Sequence, residues 1–282
     1  MPTAATGKLL TRIIPALDEP IGVVGLGTWQ VFDVAATPAE LAPRREVLEV
    51  LFAAGGRMID SSPMYGRSEA VVGTLLSQMQ ARDKAFLATK VWTTSSDAGM
   101  AQMRTSAARM QTRTIDLMQI HNLVDWQTHI KTLRDWKDGG LFRAIGITHY
   151  TTSALDDLAA IIKTEKIDFV QTAYALDVRA AEERLLSVAQ DHGVAVIVNR
   201  PFSGGSLFTK AKGKPLPDWA GEIGAASWGQ VFLKYLIGHP AVTCVIPGTA
   251  RPEHMRDSVG AGIGPSPDAA QRRRMAQWWD AQ

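Results

Sequence analysis

Three apolar segments in the first half of the chain each end in a side chain that can take part in proton transfer. These side chains are Asp60, Lys90 and His121, and Tyr65 follows Asp60 by five residues, in a segment whose proline and glycine predict a tight turn. The carboxyl ends of parallel strands meet at one end of a sheet or barrel, and ligand sites form there. We therefore expect the four side chains to share one pocket.

The chemistry that suits this set is the protonation of a carbonyl oxygen. A tyrosine has an ordinary pKa of about 10, and a nearby ammonium such as Lys90 would favour the phenolate and lower that pKa. Asp60 would keep Lys90 charged and oriented, and His121 could donate a hydrogen bond to a carbonyl oxygen or share the proton with Tyr65. The alternatives are a structural ion pair between Asp60 and Lys90 and a histidine that merely belongs to the core.

Short apolar runs alternate with helical patterns along the chain. The runs that predict strands are Ile21 to Gly27, Arg57 to Asp60, Ala85 to Lys90, Ile115 to His121, Phe142 to Thr148, Ile167 to Gln171, Val194 to Asn199 and Ala241 to Pro247. Strands and helices in alternation indicate parallel βαβ units. Eight such units predict an α/β fold of the (β/α)8 TIM-barrel type, with eight parallel strands inside and helices outside.

The same pattern bears on domain organisation. No linker or change in composition divides the chain, so we predict one barrel domain over residues 1–282. The rival fold is a doubly wound open sheet, which usually carries a glycine-rich fingerprint after its first strand, and the segment from Gly25 to Gln30 lacks the third glycine. The segment from Pro201 to Ala225 is rich in glycine, and we predict no regular structure there.

Composition and charge exclude several classes of protein. Of the 282 residues, 46% are hydrophobic and 21% charged, which is ordinary for a globular protein. A net charge of +2 gives no argument for a nucleic-acid partner or an anionic membrane surface. No apolar run reaches the roughly 18 residues of a membrane span, and the N-terminus lacks a signal-peptide core.

The chain has a single cysteine, Cys244, which we predict to be a buried packing residue. We therefore expect a cytoplasmic protein. Nothing in the sequence predicts an oligomeric state.

Ordered segments along most of the chain resemble the aldo-keto reductases. They are Ile59 to Gly66, Ala88 to Lys90, Gln119 to Asn122, Gly25 to Trp29, Gly146 to Tyr150, Val170 and Gln171 with Tyr174, Val245 to Thr249, and Arg251 to His254. The resemblance runs from about Gly22 to Ala261, and the ordered set of motifs is highly specific. It implies a (β/α)8 barrel that binds a nicotinamide cofactor, usually NADPH.

The resemblance also implies roles for single residues. Tyr65 would be the general acid, Lys90 and Asp60 would tune it, and His121 would orient the substrate carbonyl. Gln171, with residues 148 and 149, would hold the nicotinamide carboxamide. The full set that the resemblance assigns to the cofactor is Thr28, Thr148, His149, Gln171, Asn199, Arg200, Phe202, Ser203, Gly204, Gly248, Thr249, Arg251, His254, Asp257 and Ser258.

At the nicotinamide end the chain departs from the family's usual residues. The family usually has Ser-Asn where this chain has Thr148 and His149, which keep a hydroxyl and an N–H donor. Many members stack an aromatic ring on the nicotinamide at the position that matches Asn199. The substitution removes a stacking surface.

At the adenosine end three usual side chains are replaced. A lysine that commonly meets the 2′-phosphate appears as Gly248, an arginine as His254, and an asparagine near the adenine as Ser258. Thr249 keeps a hydroxyl, and Arg251 is expected to supply the lost charge. We therefore expect NADPH, with NADH possible.

Aromatic and basic residues outside these motifs suggest further contacts. Trp29, Trp92 and Trp126 follow predicted strands, and we expect them to line a substrate pocket, the alternative being simple packing at the barrel mouth. The run from Arg272 to Arg274 is predicted to face water on a C-terminal helix that Trp278 and Trp279 dock.

These features together predict an enzyme that reduces an aldehyde or ketone to the alcohol with NAD(P)H. The substrate would be a small-molecule carbonyl compound, and no metal is expected. One alternative is a barrel that binds the cofactor as a sensor or regulatory subunit with little turnover. Another is a metal-dependent hydrolase using Asp60, His121 and His149, which leaves Tyr65 and Lys90 without roles and lacks clustered ligand spacing.

Overall fold

Eight parallel strands form the centre of the molecule and pair in chain order. The computed structural model describes residues 7–282, so residues 1–6 of the predicted domain lie outside the described residues. An antiparallel hairpin of β1 (Thr11–Ile14) and β2 (Glu19–Gly22) precedes the parallel strands. These strands are β3 (Leu26–Gly27), β4 (Met58–Asp60), β5 (Phe86–Val91), β6 (Ile115–His121), β7 (Phe142–His149), β8 (Phe169–Ala173), β9 (Ala195–Asn199) and β10 (Val242–Val245).

Contacts between the first and last parallel strands bring the two edges of this sheet together. Val24 pairs with Val245, and Gly27 with Gly248, as parallel bridges. A Cβ atom at Gly27 would lie 2.9 Å from the carbonyl oxygen of Ile246, so the close approach requires glycine. The predicted α/β fold, a (β/α)8 barrel with outer helices, is confirmed.

Helices lie outside the strands. They are α1 (Pro38–Ala53), α2 (Ser68–Gln78), α3 (Ser96–Arg109), α4 (Trp126–Asp138), α5 (Leu155–Thr164), α6 (Leu185–Asp191), α7 (Ser206–Ala211), α8 (Trp228–Ile237), α9 (Pro252–Ala261) and α10 (Ala269–Asp280). Their starts follow ordinary capping chemistry: the side chains of Thr37 and Ser227 accept backbone N–H groups at the starts of α1 and α8, and Asp268 forms a capping box with Gln271 at α10.

The barrel interior has an apolar lower layer near the start of the strands. Successive strand residues point to opposite faces, so every second residue points inward. The inward cluster consists of Ile14, Ile21, Met58, Phe86, Ala88, Leu117, Ala144, Phe169, Ala195, Ile197, Cys244 and Ile246. Ile14 and Ile21 come from the β1–β2 hairpin, which therefore closes this end of the barrel. The predicted burial of Cys244 is confirmed.

A polar upper layer lies two residues further along the same strands. Its members are Asp60, Lys90, Gln119, His121, Thr148, Gln171 and Asn199. The first six are at most 6% exposed. Every second residue of a strand points inward. The alternation that places apolar side chains in the lower layer therefore also points these polar side chains into the barrel at the carboxyl ends of the strands.

The structure corrects two predicted elements. The strand predicted from Ile21 to Gly27 is divided, because its first residues pair with β1 in the hairpin and only Leu26–Gly27 pairs with β4. The segment from Pro201 to Ala225 is not wholly irregular, because α7 lies within it and buries Leu207 and Ala211.

Helix α10 also differs from prediction at one arginine. The run from Arg272 to Arg274 was expected to face water, but Arg272 is 8% exposed and donates to Glu182 at 2.7 Å. A helical period of 3.6 places Arg272 on the same face as Met275 and Trp279, both buried. Arg272 is therefore part of the helix's docking face.

Candidate active site

Three predicted catalytic side chains meet at the carboxyl ends of neighbouring strands. Asp60 ends β4, Lys90 lies near the end of β5 and His121 ends β6. Lys90 Nζ donates to Asp60 Oδ1 at 2.5 Å and to the carbonyl oxygen of Ser61 at 2.6 Å. Lys90 is fully buried, so this ammonium is held away from water by two oxygen partners.

The turn after β4 brings Tyr65 over these groups. The Tyr65 N–H donates to the carbonyl oxygen of Ser62 at 3.0 Å, and the Arg67 N–H donates to Asp33 Oδ1 at 3.0 Å. Gly66 has a φ of +60°, and a Cβ atom there would lie 2.4 Å from the Asp33 carboxyl group. The turn therefore requires glycine on both conformational and steric grounds.

Tyr65 lies against both a cation and an imidazole. Its ring centroid is 5.0 Å from Lys90 Nζ and 5.9 Å from the centroid of His121. Burial raises the pKa of Tyr65, the charge of Lys90 lowers it only in part, and Asp60 raises it further, so that the pKa lies above its ordinary value. Lys90 thus lowers the pKa of Tyr65 as expected, but the net shift is upward, because desolvation exceeds the attraction of the ammonium.

The state of Lys90 is set by its partners. Burial would lower its pKa, but attraction to Asp60 and Tyr65 outweighs that effect and raises the pKa. Lys90 therefore carries its charge at neutral pH, and Tyr65 its proton.

His121 is a neutral hydrogen-bond donor at neutral pH. Burial, followed by repulsion from Lys90, lowers its pKa to about 3. Its Nδ1 atom lies 3.0 Å from Ser62 Oγ, which also accepts the N–H of Met64 at 3.4 Å. A hydroxyl that already accepts a hydrogen bond is free to donate its own proton to Nδ1. This assignment leaves the ring proton on Nε2.

A buried amide cluster lies behind the ion pair. Gln171 Nε2 donates to Asp60 Oδ2 at 2.9 Å and to Gln119 Oε1 at 3.1 Å. Gln171 Oε1 accepts from Thr148 Oγ1 at 3.3 Å and from Asn199 Nδ2 at 3.2 Å. Within residues 7–282, the buried Asn199 Oδ1 has no hydrogen-bond partner.

A cavity of about 540 Å³ opens above these residues. Tyr65, Asp60 and His121 form one wall of it, and Gly204, Gly205 and Gly248 line another part. Pockets of about 300–1,000 Å³ hold small molecules and cofactors. The volume, the exposed glycine backbone and the unpartnered oxygen of Asn199 fit an elongated polar cofactor with an amide group.

Comparison with known proteins identifies the family. The model of the aldo/keto reductase family matches residues 23–269. The chain belongs to the aldo/keto reductase family. Among its relatives is the aldo-keto reductase YhdN of Bacillus subtilis strain 168, 28% identical over 202 residues, which cover 66% of this chain and 60% of that protein. Methylglyoxal reductase DkgB of Salmonella typhimurium strain LT2 is 26% identical over 250 residues, covering 85% of this chain and 86% of that protein.

A solved structure shows the same fold over the whole length. The aldo/keto reductase of Klebsiella pneumoniae in complex with NADP and acetate superimposes with a TM-score of 0.80 at 21% identity, covering 97% of this chain and 96% of that one. The predicted family, the barrel and the enzyme class, an aldo-keto reductase, are thus confirmed.

The cavity of this aldo-keto reductase brings together about half of the predicted cofactor residues. Those that line it are Thr28, Thr148, Gln171, Asn199, Arg200, Phe202, Gly204 and Gly248. His149 lies outside the lining, because its Nδ1 atom accepts the Thr151 N–H at 3.2 Å and its ring stacks on Tyr150. Ser203 is also outside and donates to Asp177.

Apart from Gly248, which lines the cavity, the predicted adenosine residues lie beyond it, in and just before α9. Arg251 is exposed and already pairs with Glu253 at 2.6 Å. The hydroxyl of Thr249 accepts the N–H of Arg251 at 3.0 Å. His254 is exposed.

Two further residues that were predicted to contact the cofactor, Asp257 and Ser258, are engaged or buried inside the protein. Asp257 accepts from Ser227 Oγ at 2.8 Å and from Gln230 Nε2 at 3.0 Å, which ties α9 to the start of α8. Ser258 is buried.

The three tryptophans predicted to line the substrate pocket lie in different environments. Trp29 lines the cavity and is half exposed. Trp92 is exposed beside the site, with its ring centroid 6.4 Å from that of His121, but it is not among the lining residues. Trp126 does not line the cavity, because it begins α4 and packs against the hydrophobic core between helices and strands.

Several lining residues were not predicted. They are Gly27, Gln30, Val31, Met64, Asn122, Tyr150, Pro201, Gly205, Phe208 and Ile246. Tyr150 and Phe208 are large and exposed, a property that three-dimensional structure alone reveals. Gln119, which contacts Asp60, was also missed, although it lies two residues before His121 and so on the same face of β6.

Residues 7–282 contain neither a membrane-spanning helix nor a grouped set of metal ligands. None of the helices there is both long and apolar enough to cross a membrane. No three His, Cys, Asp or Glu side chains in this range are grouped so that they could hold a metal ion, and Asp60, of the hydrolase set, is paired with Lys90.

Proposed function

We propose that this chain reduces an aldehyde or ketone to the alcohol, with NADPH as the hydride donor and NADH possible, and with Tyr65 as the general acid. The observation that carries the proposal is the meeting of Tyr65, the Asp60–Lys90 pair and His121 at one wall of a cavity of cofactor size. Each group then has a role that its environment supports.

The cofactor would lie along the cavity. Thr148, Gln171 and Asn199, which line it, would hold the nicotinamide end, and Arg200, Phe202, Gly204 and Gly248 would hold the remainder. When bound, the nicotinamide supplies the hydride that reduces the carbonyl carbon and is itself oxidised. The barrel contributes binding and orientation.

Tyr65 delivers the proton to the carbonyl oxygen. Its raised pKa keeps the phenol protonated until the oxygen gains charge. As the proton leaves, negative charge develops on the phenol oxygen near the Lys90 ammonium, which donates to Asp60 and Ser61 and also hydrogen-bonds with the Tyr65 side chain. Lys90 thereby stabilises the product state of the proton transfer.

His121 orients the substrate. Its neutral ring offers the Nε2 proton to the carbonyl oxygen, while Ser62 fixes the ring through Nδ1. A neutral donor polarises the carbonyl without bringing a second full positive charge next to Lys90.

The relatives support the reaction class. One is named a methylglyoxal reductase, which points to a small carbonyl compound as substrate. The structural neighbour from Klebsiella pneumoniae holds NADP. A cytoplasmic location remains part of the proposal.

One observation favours the alternative of a cofactor-binding sensor with little turnover. Both polar atoms of Gln171 are engaged inside the protein, so the nicotinamide carboxamide must compete for them. Turnover itself separates the two possibilities.

The test measures NADPH oxidation against a panel of aldehydes and ketones for the wild type, Tyr65→Phe and Tyr150→Phe. Tyr150 is the matched control, since it also lines the cavity but is far from the ion pair in sequence and half exposed. We expect Tyr65→Phe to lower turnover by about 100-fold or more, with cofactor binding unchanged, and Tyr150→Phe to remain active. Retention of more than half of the wild-type turnover by Tyr65→Phe would refute the assignment, and a wild type that binds NADPH but reduces nothing would favour the sensor.

A further inference from the structure

Gln119 contacts the catalytic ion pair without reaching the cavity. It lies on β6, two residues before His121, and is fully buried. It is absent from the residues that line the cavity. Any influence on the reaction must therefore pass through its neighbours.

Its amide completes a closed set of hydrogen bonds around one carboxylate oxygen. Gln119 Nε2 donates to Asp60 Oδ2 at 3.0 Å, and Gln171 Nε2 donates to the same oxygen at 2.9 Å. Gln119 Oε1 accepts from Gln171 Nε2 at 3.1 Å. Each amide therefore fixes the orientation of the other, because a flipped Gln119 would present an oxygen to the carboxylate.

This arrangement divides the two oxygens of Asp60 between two tasks. With both amides on Oδ2, Oδ1 is left to Lys90 at 2.5 Å. The carboxylate plane is then fixed, and so is the ammonium, which also donates to Ser61. Without Gln119, the carboxylate would lose one of its three partners in a buried site, and its rotation would move Lys90 relative to Tyr65.

We propose that Gln119 is a positioning residue, which holds Asp60 so that Lys90 faces the Tyr65 phenol. The inference rests on the proposed function, because it assigns Gln119 a role in the proton transfer from Tyr65.

The first test replaces Gln119 by leucine, which keeps the volume and removes both polar atoms. We expect kcat for carbonyl reduction to fall about 10-fold or more, as loss of a hydrogen bond to a charged group predicts. The dissociation constant of NADPH, measured by tryptophan fluorescence, should change by much less than kcat, because Gln119 lies outside the cavity and reaches the cofactor site only through Gln171. The matched control is Thr89→Val on the neighbouring strand, which removes the buried hydrogen bond to Glu69 and should lower the denaturant midpoint without lowering kcat.

The second test is Gln119→Glu. Glutamate has almost the same shape as glutamine, and its ionisation can be followed in the pH profile of kcat. Two carboxyl groups this close do not readily both ionise, so they share one proton at lower pH. That shared proton replaces the amide N–H donor to Asp60. The other titratable groups around the carboxylate are Lys90, Tyr65, His121 and Cys244.

We expect Gln119→Glu to reduce carbonyls at low pH and to lose kcat as pH rises, through an ionisation that the wild type lacks. If Gln119→Leu does not fold, this profile decides alone. A Gln119→Leu variant with wild-type kcat, or a Gln119→Glu variant with the wild-type pH profile, would overturn the proposal. If one of these two results occurred and Tyr65→Phe were inactive, only the role of Gln119 would be refuted and the proposed function would stand. If Tyr65→Phe were active, the proposed function itself would be refuted.

Discussion

The two ends of the barrel interior lie on the same strands but differ in polarity. The lower layer is apolar, and the upper layer is polar and charged. On β5 the inward residues run Phe86, Ala88 and Lys90, and on β8 they run Phe169 and then Gln171. The backbone geometry is the same at both ends, since the side-chain period is two throughout. The lower layer gains stability from burial of apolar surface, whereas the upper layer buries charge that only its hydrogen bonds offset.

Stability and activity should therefore depend on different residues of the same strand. Substitutions in the lower layer should affect the free energy of unfolding and leave the chemistry unchanged. Substitutions in the upper layer should affect the chemistry most.

Phe169→Ala in the lower layer should destabilise the protein by about 3–5 kcal/mol, the usual cost of emptying a buried aromatic site. Phe169 is fully buried, and its ring lies 6.0 Å from that of Phe86. Denaturant unfolding measures the loss, and kcat per folded molecule should stay at the wild-type level. The matched control is Leu10→Ala, at an exposed apolar residue. A large fall in kcat with no loss of stability would contradict the separation of the two layers.

Lys90→Met in the upper layer should abolish most activity and cost on the order of 1–3 kcal/mol of stability, because Asp60 loses a buried partner. The measurements are kcat and the denaturant midpoint. Lys234→Met is the matched control, since Lys234 is also fully buried but donates to the carbonyl oxygens of Ile263 and Pro265. Both variants should lose stability, and only Lys90→Met should lose activity. An active Lys90→Met enzyme would show that the ion pair is structural.

The neutral state of His121 makes stability depend on pH. Its pKa is about 3 in the folded protein and about 6.5 in the unfolded chain. The unfolded chain therefore binds more protons between these values, and stability falls as pH falls from 6.5 towards 3, by up to about 1.4 kcal/mol per pH unit.

The measurement compares the wild type with His121→Asn in denaturant titrations across this range. The variant should lose less stability on acidification. His239, with a pKa of about 4 because of burial, and the paired carboxylates contribute equally to both proteins, so the difference isolates His121. Parallel curves would mean that the pKa of His121 is the same in the folded and unfolded states.

The chemistry of the upper layer could largely be predicted from sequence. Asp60, Lys90 and His121 end apolar runs, and strand ends are where parallel strands converge; β6 was predicted at its observed bounds. The period of two would also have found Gln119, but its contact with Asp60 depends on the stagger between strands. The sign of the Tyr65 pKa shift could not be predicted, since it depends on how deeply the ring is buried.

Other features depended on contacts between distant segments. The β1–β2 hairpin closes the barrel through Ile14 and Ile21, whereas the sequence pattern merged Ile21 with the first barrel strand. Trp126 follows a strand as Trp29 does, yet it begins a helix and turns to the core. The pairing of Arg251 with Glu253 depends on the backbone conformation at the start of α9.

The Arg251–Glu253 pair is exposed and lies outside the two layers. Arg251 is expected to supply the charge for the 2′-phosphate of NADPH, but its guanidinium is paired with the exposed carboxylate of Glu253. The phosphate must therefore displace or share this partner, and the carboxylate also repels it.

Glu253→Gln should release Arg251 and raise the affinity for NADPH several-fold, while affinity for NADH hardly changes, since NADH lacks the phosphate. Arg251→Ala should remove most of the preference for NADPH. Titration of both cofactors against tryptophan fluorescence reports two affinities for the wild type and for each variant. Glu49→Gln is the control, because Glu49 is likewise an exposed glutamate paired with an arginine, here Arg45 on α1. If Glu253→Gln strengthened NADPH and NADH alike, the gain would come from something other than the phosphate, and the assignment of Arg251 would be wrong.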